Sequence, residues 1–451
     1  MRTVLACAIL AAGSSAVRAG EEPVMLTVDR SAVACQSFMG FGAEWDPSGV
    51  TEADWDLVVK RIAWMKIPVV RMMMQVKWCW DGQGRFDWDR PQMRSVYRYL
   101  DVCQQQGITV ILADWGCEPG WLKVPDIADV GDPKYATAIG TYMDHLVNGK
   151  NYSCIKYFIM VNEPNYEVKD FGRWQKGVEQ VMAEFAKHGL DRKVVFAGAD
   201  ESNDESWHRR AVDQLQNVLG AYDIHRYAPE DQVRSGGLLD FYRAEWDYAM
   251  KEDPRAKDKP LIVGEAGIYS GGFSAANNPL HLEYEYGLYM ADYAAQAAGA
   301  GSWCVSAWML DDSSHQGFNW GMWKNKAGGF ALKPWFYPWS LLCRSVPAGS
   351  KTYLLKQGPD LRTLAASSAG KDAEVWTFCL VNRSDEPKTV GVRVPDAKPG
   401  TFKHYLYSRD KAPADKDGFP VPVEEMPGDL GAGIEVVCPG NAVYFLTSVE
   451  P

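Results

Sequence analysis

The chain has 451 residues, 47% of them hydrophobic and 23% charged, which is ordinary for a globular enzyme with a large core. A formal net charge of −11 argues against a polyanion-binding surface, so neither nucleic acid nor an anionic membrane is an expected partner. Beyond the N-terminus no run reaches the roughly 18 apolar residues of a membrane-spanning helix.

Residues 1–19 have the layout of a secretory signal: Arg2, the apolar stretch Val4 to Ala12, then small residues ending in Val17-Arg18-Ala19. They predict a protein that is secreted or periplasmic. Residues 20–37 alternate loosely between Val24 and Val33, which predicts one or two short strands. From Gly40-Phe41-Gly42-Ala43-Glu44-Trp45 onward a repeat of strand, loop and helix begins. Thr51 is an N-cap candidate for a helix carrying Trp55, Val58, Val59, Ile62 and Met65 at helical spacing. Ile67 to Met72 is the second strand, with Arg71 near its end. A helix from Pro91 to Gln106 leads to the third strand, Thr109 to Trp115, which ends in Asp114-Trp115.

A helix over Pro133 to Val147 precedes the run Ile155-Lys-Tyr-Phe-Ile-Met-Val-Asn-Glu-Pro-Asn165. Its apolar part has strand length, and Pro164 removes a ladder donor and holds Glu163 out of a helical conformation. Glu163 therefore stands where a buried strand stops. Trp174, Val178, Val181, Met182 and Phe185 then mark an amphipathic helix stopped by Gly189. Strand five is Val194 to Ala199, followed by Asp200-Glu201, and strand six is Tyr222 to Tyr227, ending in His225-Arg226-Tyr227. After a helix over Leu238 to Met250, Pro260 to Gly267 is a second short apolar run that closes on a glutamate, Glu265. A helix over Leu282 to Ala298 leads to the last strand, Ser302 to Leu310, which carries Trp308. Eight strand-helix units in series predict an α/β fold, a closed (β/α)8 TIM barrel over residues 38–345.

Helical periodicity ends near Lys351. Short alternating runs between Gly, Pro and Asp turns predict a β-sandwich over residues 346–451 that also recruits the N-terminal strand. Its aromatics, such as Trp376 and Phe378, fall at core-like alternation, which predicts packing against the barrel rather than glycan binding. Nine cysteines remain after Cys7 of the signal, scattered, with no CxxC pair and no histidine at ligand spacing, so no zinc site is expected. No glycine pattern after a strand makes a phosphate cradle, and no metal, nucleotide or redox cofactor is called for.

Parallel barrels do their chemistry at the C-terminal ends of the strands. Two glutamates at two such ends are what glycoside hydrolysis requires: one protonates the leaving oxygen, and the other attacks the anomeric carbon or activates water. Glu163 is the candidate acid/base and Glu265 the candidate nucleophile. Arg71 and Tyr227 are the candidate partners that keep Glu265 ionised. Asn162 and Glu163 are adjacent, however, and neighbours on a strand face opposite sides. Both reach one pocket only if the strand end twists or bulges. Eighteen tryptophans supply candidate flat platforms for sugar rings: Trp308 and Trp115 at strand ends, and Trp78, Trp80, Trp320 and Trp323 in loops for flanking subsites.

Val161-Asn162-Glu163-Pro164, Glu265, Arg71, His225-x-Tyr227 and Trp308 together resemble clan A retaining glycoside hydrolases, most of all families 39 and 30. The Asn-Glu-Pro and His-x-Tyr elements are also similar to family 5. Family 5 members usually carry a histidine near the end of strand three, where this chain has Asp114-Trp115. The resemblance implies an exported enzyme cleaving β-glycosidic bonds of poly- or oligosaccharides with retention. It also implies that Asn162 binds the sugar 2-hydroxyl, Trp308 floors the cleavage subsite, and His225 orients a carboxylate or binds sugar. The competing expectation is a non-catalytic carbohydrate-binding barrel, which two intact glutamates disfavour.

Overall fold

Why the chain closes on itself follows from its strands, each short, apolar and bounded by a loop on one side and a helix on the other. The computed structural model describes residues 23–47, 54–118, 120–269, 274, 277–312, 317–355, 358 and 360–450. The expected export signal and the N-cap candidate Thr51 lie outside the described residues. Two N-terminal strands come first, β1 (Val24–Thr27) and β2 (Val33–Phe38). The barrel strands are β3 (Gly40–Glu44), β4 (Val69–Met74), β5 (Thr109–Asp114), β6 (Ile155–Met160), β7 (Val195–Ser202), β8 (Ala221–Pro229), β9 (Leu261–Tyr269) and β10 (Cys304–Ala307). They pair in chain order, and β10 closes on β3 with Cys304 opposite Gly40.

One long helix follows each barrel strand, from Trp55–Met65 after β3 to Phe336–Ser345 after β10. Helix Phe171–Lys187 shows why these segments fold as they do. Asp170 caps it by accepting from the Arg173 amide, and Trp174, Val178, Val181 and Phe185 line the buried side. Inside the barrel the filling is small or branched: Val69, Ile111, Ile159, Ala197, Ala221, Ile262 and Cys304. The last strand is shorter than the Ser302 to Leu310 expectation, because beyond Ala307 the chain pairs with a loop strap, Asp311 bridging to Trp323.

The C-terminal part holds β11 (Ser350–Tyr353), β12 (Leu361–Ala369), β13 (Glu374–Asn382), β14 (Lys388–Arg393), β15 (Gly400–Tyr407), β16 (Glu424–Gly428), β17 (Ile434–Cys438) and β18 (Ala442–Thr447). Seven strands form one sheet in the order β16-β15-β18-β13-β12-β11-β2, and three form the other, β1-β14-β17. The N-terminal strands thus enter separate sheets, β1 parallel to β14 and β2 antiparallel to β11.

Period-two alternation along β13 decides which face goes where. Trp376, Phe378 and Leu380 enter the core between the two sheets, whereas Cys379 and Val381 join the core shared with the barrel. Trp376 and Phe378 are therefore core residues, but of the sandwich rather than of its contact with the barrel. The barrel contributes helix Tyr284–Gly299 to that contact, and it is buried nearly all round. Gly287 permits the approach: a β-carbon there would lie 2.6 Å from the Tyr407 hydroxyl. All nine described cysteines are free thiols, eight of them buried, as small apolar residues are.

Candidate active site

Three breaks in regular strand geometry aim the candidate side chains. On β6, Ile159 faces the barrel interior and Met160 the helices. Strict alternation would then separate Asn162 from Glu163. Instead, Val161 (φ +88°) and Glu163 (φ +44°) take left-handed conformations, and Val161 packs outward with the helix-side core. Both Asn162 and Glu163 consequently line one cavity. A β-branched residue at positive φ is an outlier that persists only where its surroundings hold it. Here the Asp114 carbonyl accepts from both the Val161 amide (3.0 Å) and the Asn162 amide (3.1 Å).

The second break is at Asp200, where the register between β7 and β8 shifts and φ is +61°. The third is on β9, where Ile224 pairs with Val263 but His225 pairs with Glu265, which leaves Gly264 as the extra residue. Without that bulge Glu265, three residues beyond the inward-facing Ile262, would point at the helices. Glycine is required at 264 because a β-carbon would lie 2.4 Å from the Asp223 carboxylate. At Gly267 the same construction meets the Tyr227 ring at 2.8 Å. The two glycines around Glu265 are thus spaces for Asp223 and Tyr227.

These breaks bring the predicted residues together. Arg71, fully buried, donates to Glu265 Oε1 (2.7 Å), Asn162 Oδ1 (2.8 Å) and Asp200 Oδ2 (2.9 Å). Tyr227 donates to Glu265 Oε2 at 2.5 Å. His225 Nδ1 is 3.1 Å from Glu163 Oε1 and 3.6 Å from Glu265 Oε2, while its Nε2 is 2.9 Å from Asp200 Oδ1. One oxygen from each glutamate and one His225 nitrogen all lie within 4.8 Å of one another.

Electrostatics follow from this packing. Burial raises Glu265 above the usual carboxylate range, and the His225 and Arg71 cations and the Tyr227 hydroxyl oppose the rise. Asp200 is buried too, which alone would raise it, but Arg71 and His225 hold it below the ordinary value. Burial disfavours a charged His225, yet Asp200 and Glu265 together hold it well above its usual value, which favours the protonated ring. Among the described residues, two sets could ligate a metal ion: Glu163, His225 and Glu265, and Asp200, Asp223 and His225. Their common member, His225, is held toward its protonated form, and Arg71 already engages two of the carboxylates.

The cavity has a volume of about 570 Å³, and Trp115, Trp121, Trp308, Phe318 and Trp320 form its apolar walls. Trp115 meets Trp121 edge-on at 5.1 Å and lies parallel to Phe318 at 6.3 Å. Tyr166, Glu167, Ser202 and Asn203 supply a polar wall. Aromatic faces opposite hydrogen-bonding groups suit a ring that is apolar on its faces and hydroxylated at its edges. Trp308 and Trp115 line the cavity, as does Trp320. Trp78, Trp80 and Trp323, expected in flanking subsites, are instead buried in the helix-side core.

Asp114 also proves to be scaffold. It is fully buried and accepts from Tyr135 (2.6 Å), Tyr142 (3.0 Å) and the Gly116 amide (2.9 Å), and burial pushes it up to about 6. Asp200 carries the opposite lesson. As one acidic strand end among several it is undistinguished in the sequence, yet it contacts both cations of the site. Trp121, Tyr166, Glu167, Asn203 and Phe318 come from loops or short turns whose position no periodicity encodes.

The cellulase model of glycosyl hydrolase family 5 matches residues 30–327. No curated protein matches by sequence. Among solved structures, the fold is similar to the glycoside hydrolase family 30 subfamily 8 xylanase of Clostridium acetobutylicum, with a TM-score of 0.65 at 11% identity over 94% of this chain and 98% of that one. It is also similar to the family 39 β-xylosidase of Caulobacter crescentus, with a TM-score of 0.64 at 13% identity over 96% and 100%. The family 51 α-L-arabinofuranosidase of Thermotoga petrophila gives 0.67 at 11% identity over 94% and 100%. At such identities the likeness shows a shared fold and nothing finer.

Proposed function

The chain belongs to the cellulase family, glycosyl hydrolase family 5, and is a glycosidase; from that premise we propose an exported enzyme that cleaves β-glycosidic bonds of poly- or oligosaccharides with retention. The observation that carries the mechanism is the short separation of the two glutamates, an oxygen of each within 4.8 Å of the other, at the floor of one cavity. Double displacement suits carboxyl groups about 5–5.5 Å apart and inversion about 6.5–9.5 Å; the nearest-oxygen distance favours the former, and the anomer of the first product decides.

Glu265 is the nucleophile. Arg71 and Tyr227 each take one of its oxygens, which favours the carboxylate and orients it toward the anomeric carbon. Glu163, at the cavity side of His225, gives its proton to the departing glycosidic oxygen. It then takes a proton from the water that attacks the glycosyl-enzyme. Asn162, held by Arg71 through its oxygen, keeps its amide hydrogens for the sugar 2-hydroxyl, a contact that strengthens as the oxocarbenium-like transition state forms. Trp308 is the floor on which the sugar ring stacks.

Substrates follow from the cavity walls and from the names of the structural neighbours: xylan, xylo-oligosaccharides and β-glucans are the first to test. Export rests on the signal pattern of residues 1–19, and no helix among the described residues is long and apolar enough to cross a membrane. The test is turnover of a panel of aryl β-glycosides and polysaccharides, with the anomer of the first product followed by NMR. Retention is expected, with Glu265→Ala and Glu163→Ala each losing at least about a hundredfold. Inverted product, or full activity in either variant, would remove these roles. A mature N-terminus just after Ala19 in the exported fraction is expected; an intact Met1 there counts against export through this signal.

A further inference from the structure

His225 stands between the two glutamates, and one aspartate holds it there. Resting on the double-displacement reading above, we propose that Asp200 is a positioning residue for this reaction: it fixes the His225 ring so that a single Nδ1–H serves Glu265 before attack and Glu163 after it.

The geometry comes first. Asp200 is fully buried, and each of its oxygens is committed. Oδ1 accepts from His225 Nε2 at 2.9 Å; Oδ2 accepts from Arg71 at 2.9 Å and lies 3.4 Å from the Glu163 amide. With Nε2 tied to Asp200, the ring cannot turn. Its remaining nitrogen faces both glutamates, at 3.1 Å from Glu163 Oε1 and 3.6 Å from Glu265 Oε2. One donor is thus placed between two acceptors that are never both in need of it.

The reaction moves charge between those acceptors. Before attack, Glu265 is the carboxylate and Glu163 carries the proton destined for the leaving oxygen, so the Nδ1–H leans to Glu265. Attack turns Glu265 into a neutral ester and Glu163 into a carboxylate, so the same hydrogen bond passes to Glu163. Water then adds to the anomeric carbon, its proton goes to Glu163, the ester oxygen leaves as the Glu265 carboxylate, and the bond returns. His225 keeps its proton throughout, and only the direction of its hydrogen bond changes. A bridging cation of this kind needs a permanent counter-charge outside the cycle, which Asp200 supplies.

Every charged group packed on the ring fits this role. Glu163 follows β6, Asp200 and Glu201 lie on β7, Asp223 on β8 itself, Glu265 on β9 and Arg71 on β4. Burial pushes Glu201 up to about 8 and holds Asp223 well above the carboxylate range. Both are thereby held toward the neutral form, which leaves Asp200, held below the ordinary value by Arg71 and His225, as the counter-charge of the ring.

The test joins spectroscopy with kinetics. In ¹⁵N-histidine-labelled wild type, with His225 assigned by His225→Gln, the ring should be an imidazolium from about pH 5 to 8. A neutral ring at pH 7 overturns the proposal without recourse to any variant of Asp200. In Asp200→Asn, turnover of dinitrophenyl β-xyloside and β-glucoside, whose leaving groups need no acid, reports hydrolysis of the glycosyl-enzyme. The acid limb of the kcat profile should move up by about one to three pH units, with KM falling alongside kcat below the limb, as turnover limited by glycosyl-enzyme hydrolysis requires. Asp200→Glu should restore part of the shift. A uniformly slower Asp200→Asn with an unmoved limb makes the aspartate a structural residue only and overturns the inference. Trapping with a fluorosugar that lacks the 2-hydroxyl separates this from the underlying reading. Label on Glu265 with an unmoved limb defeats the Asp200 role alone, and no label on Glu265 defeats double displacement.

Discussion

Two buried charge networks sit some distance apart in this molecule, and they are built alike but closed differently. At the barrel mouth Arg71 holds Asp200 and Glu265. Between barrel and sandwich, Asp292 of helix Tyr284–Gly299 accepts from Arg383 at 2.8 Å and lies 3.6 Å from Arg362, all three buried. In the second network both arginines come from the sandwich and the aspartate from the barrel, so it ties one to the other. In the first, Glu265 and the neighbouring Asn162 and Tyr227 also line the cavity. A buried ion pair is costly to assemble and still more costly to break. The comparison teaches that the same expense serves orientation of cavity-lining carboxylates in one place and docking of two layers in the other.

Removing the central charge from each network sharpens that contrast. Arg71→Met should lower kcat/KM by about a hundredfold to a thousandfold and destabilise by about 3–5 kcal/mol, because Asp200 and Glu265 lose their cation. Asp292→Ala should cost about the same in urea unfolding, yet leave the rate per folded molecule within about twofold. Equal losses of activity in the two variants would mean that the interface also tunes the site. A smaller effect separates the networks by pH. Glu201, beside the first, and Asp311, at the end of the barrel, are both pushed up to about 8, burial being the largest cause in each. Between about pH 5 and pH 8 the unfolded chain has released protons that the folded one keeps, so stability should fall as pH rises. Glu201→Gln should flatten that fall by up to about 2 kcal/mol in denaturation curves at pH 6 and pH 8. An unchanged slope would place Glu201 in the ionised state. The mildest change is Trp121→Ala at the cavity rim, where the exposed indole meets Trp115 edge-on. It should raise KM about fivefold with kcat unchanged, the effect of losing about 1 kcal/mol of stacking.

Local chemistry made much of this protein legible from its residues. Apolar runs of strand length alternating with amphipathic helices specify a barrel, because burial on both faces and burial on one stripe leave different periods. The change to short alternating runs after Lys351 marks the sandwich for the same reason. Glu163 and Glu265 were visible because each closes a short apolar run before a proline or a glycine, and strand ends are where a parallel barrel exposes its groups; β6 does stop short of Glu163, whereas β9 runs on past Glu265 to Tyr269. The pairing of β1 and β2 with separate sheets was not legible, since partners more than 300 residues away leave no trace in a local pattern.

What only the tertiary structure decided is which way the site residues point. Alternation alone would turn Asn162 and Glu265 toward the helices. The left-handed turn at Val161 and the bulge at Gly264 reverse that, and both depend on neighbours, the Asp114 carbonyl and the Asp223 carboxylate. Asp200 gained its place for the same reason, from a register shift against β8 and two cations supplied by other strands. Residue type and spacing determine which groups are available. Direction within a strand's last residues is a property of the ladder beside it, and it exists only once the barrel has closed.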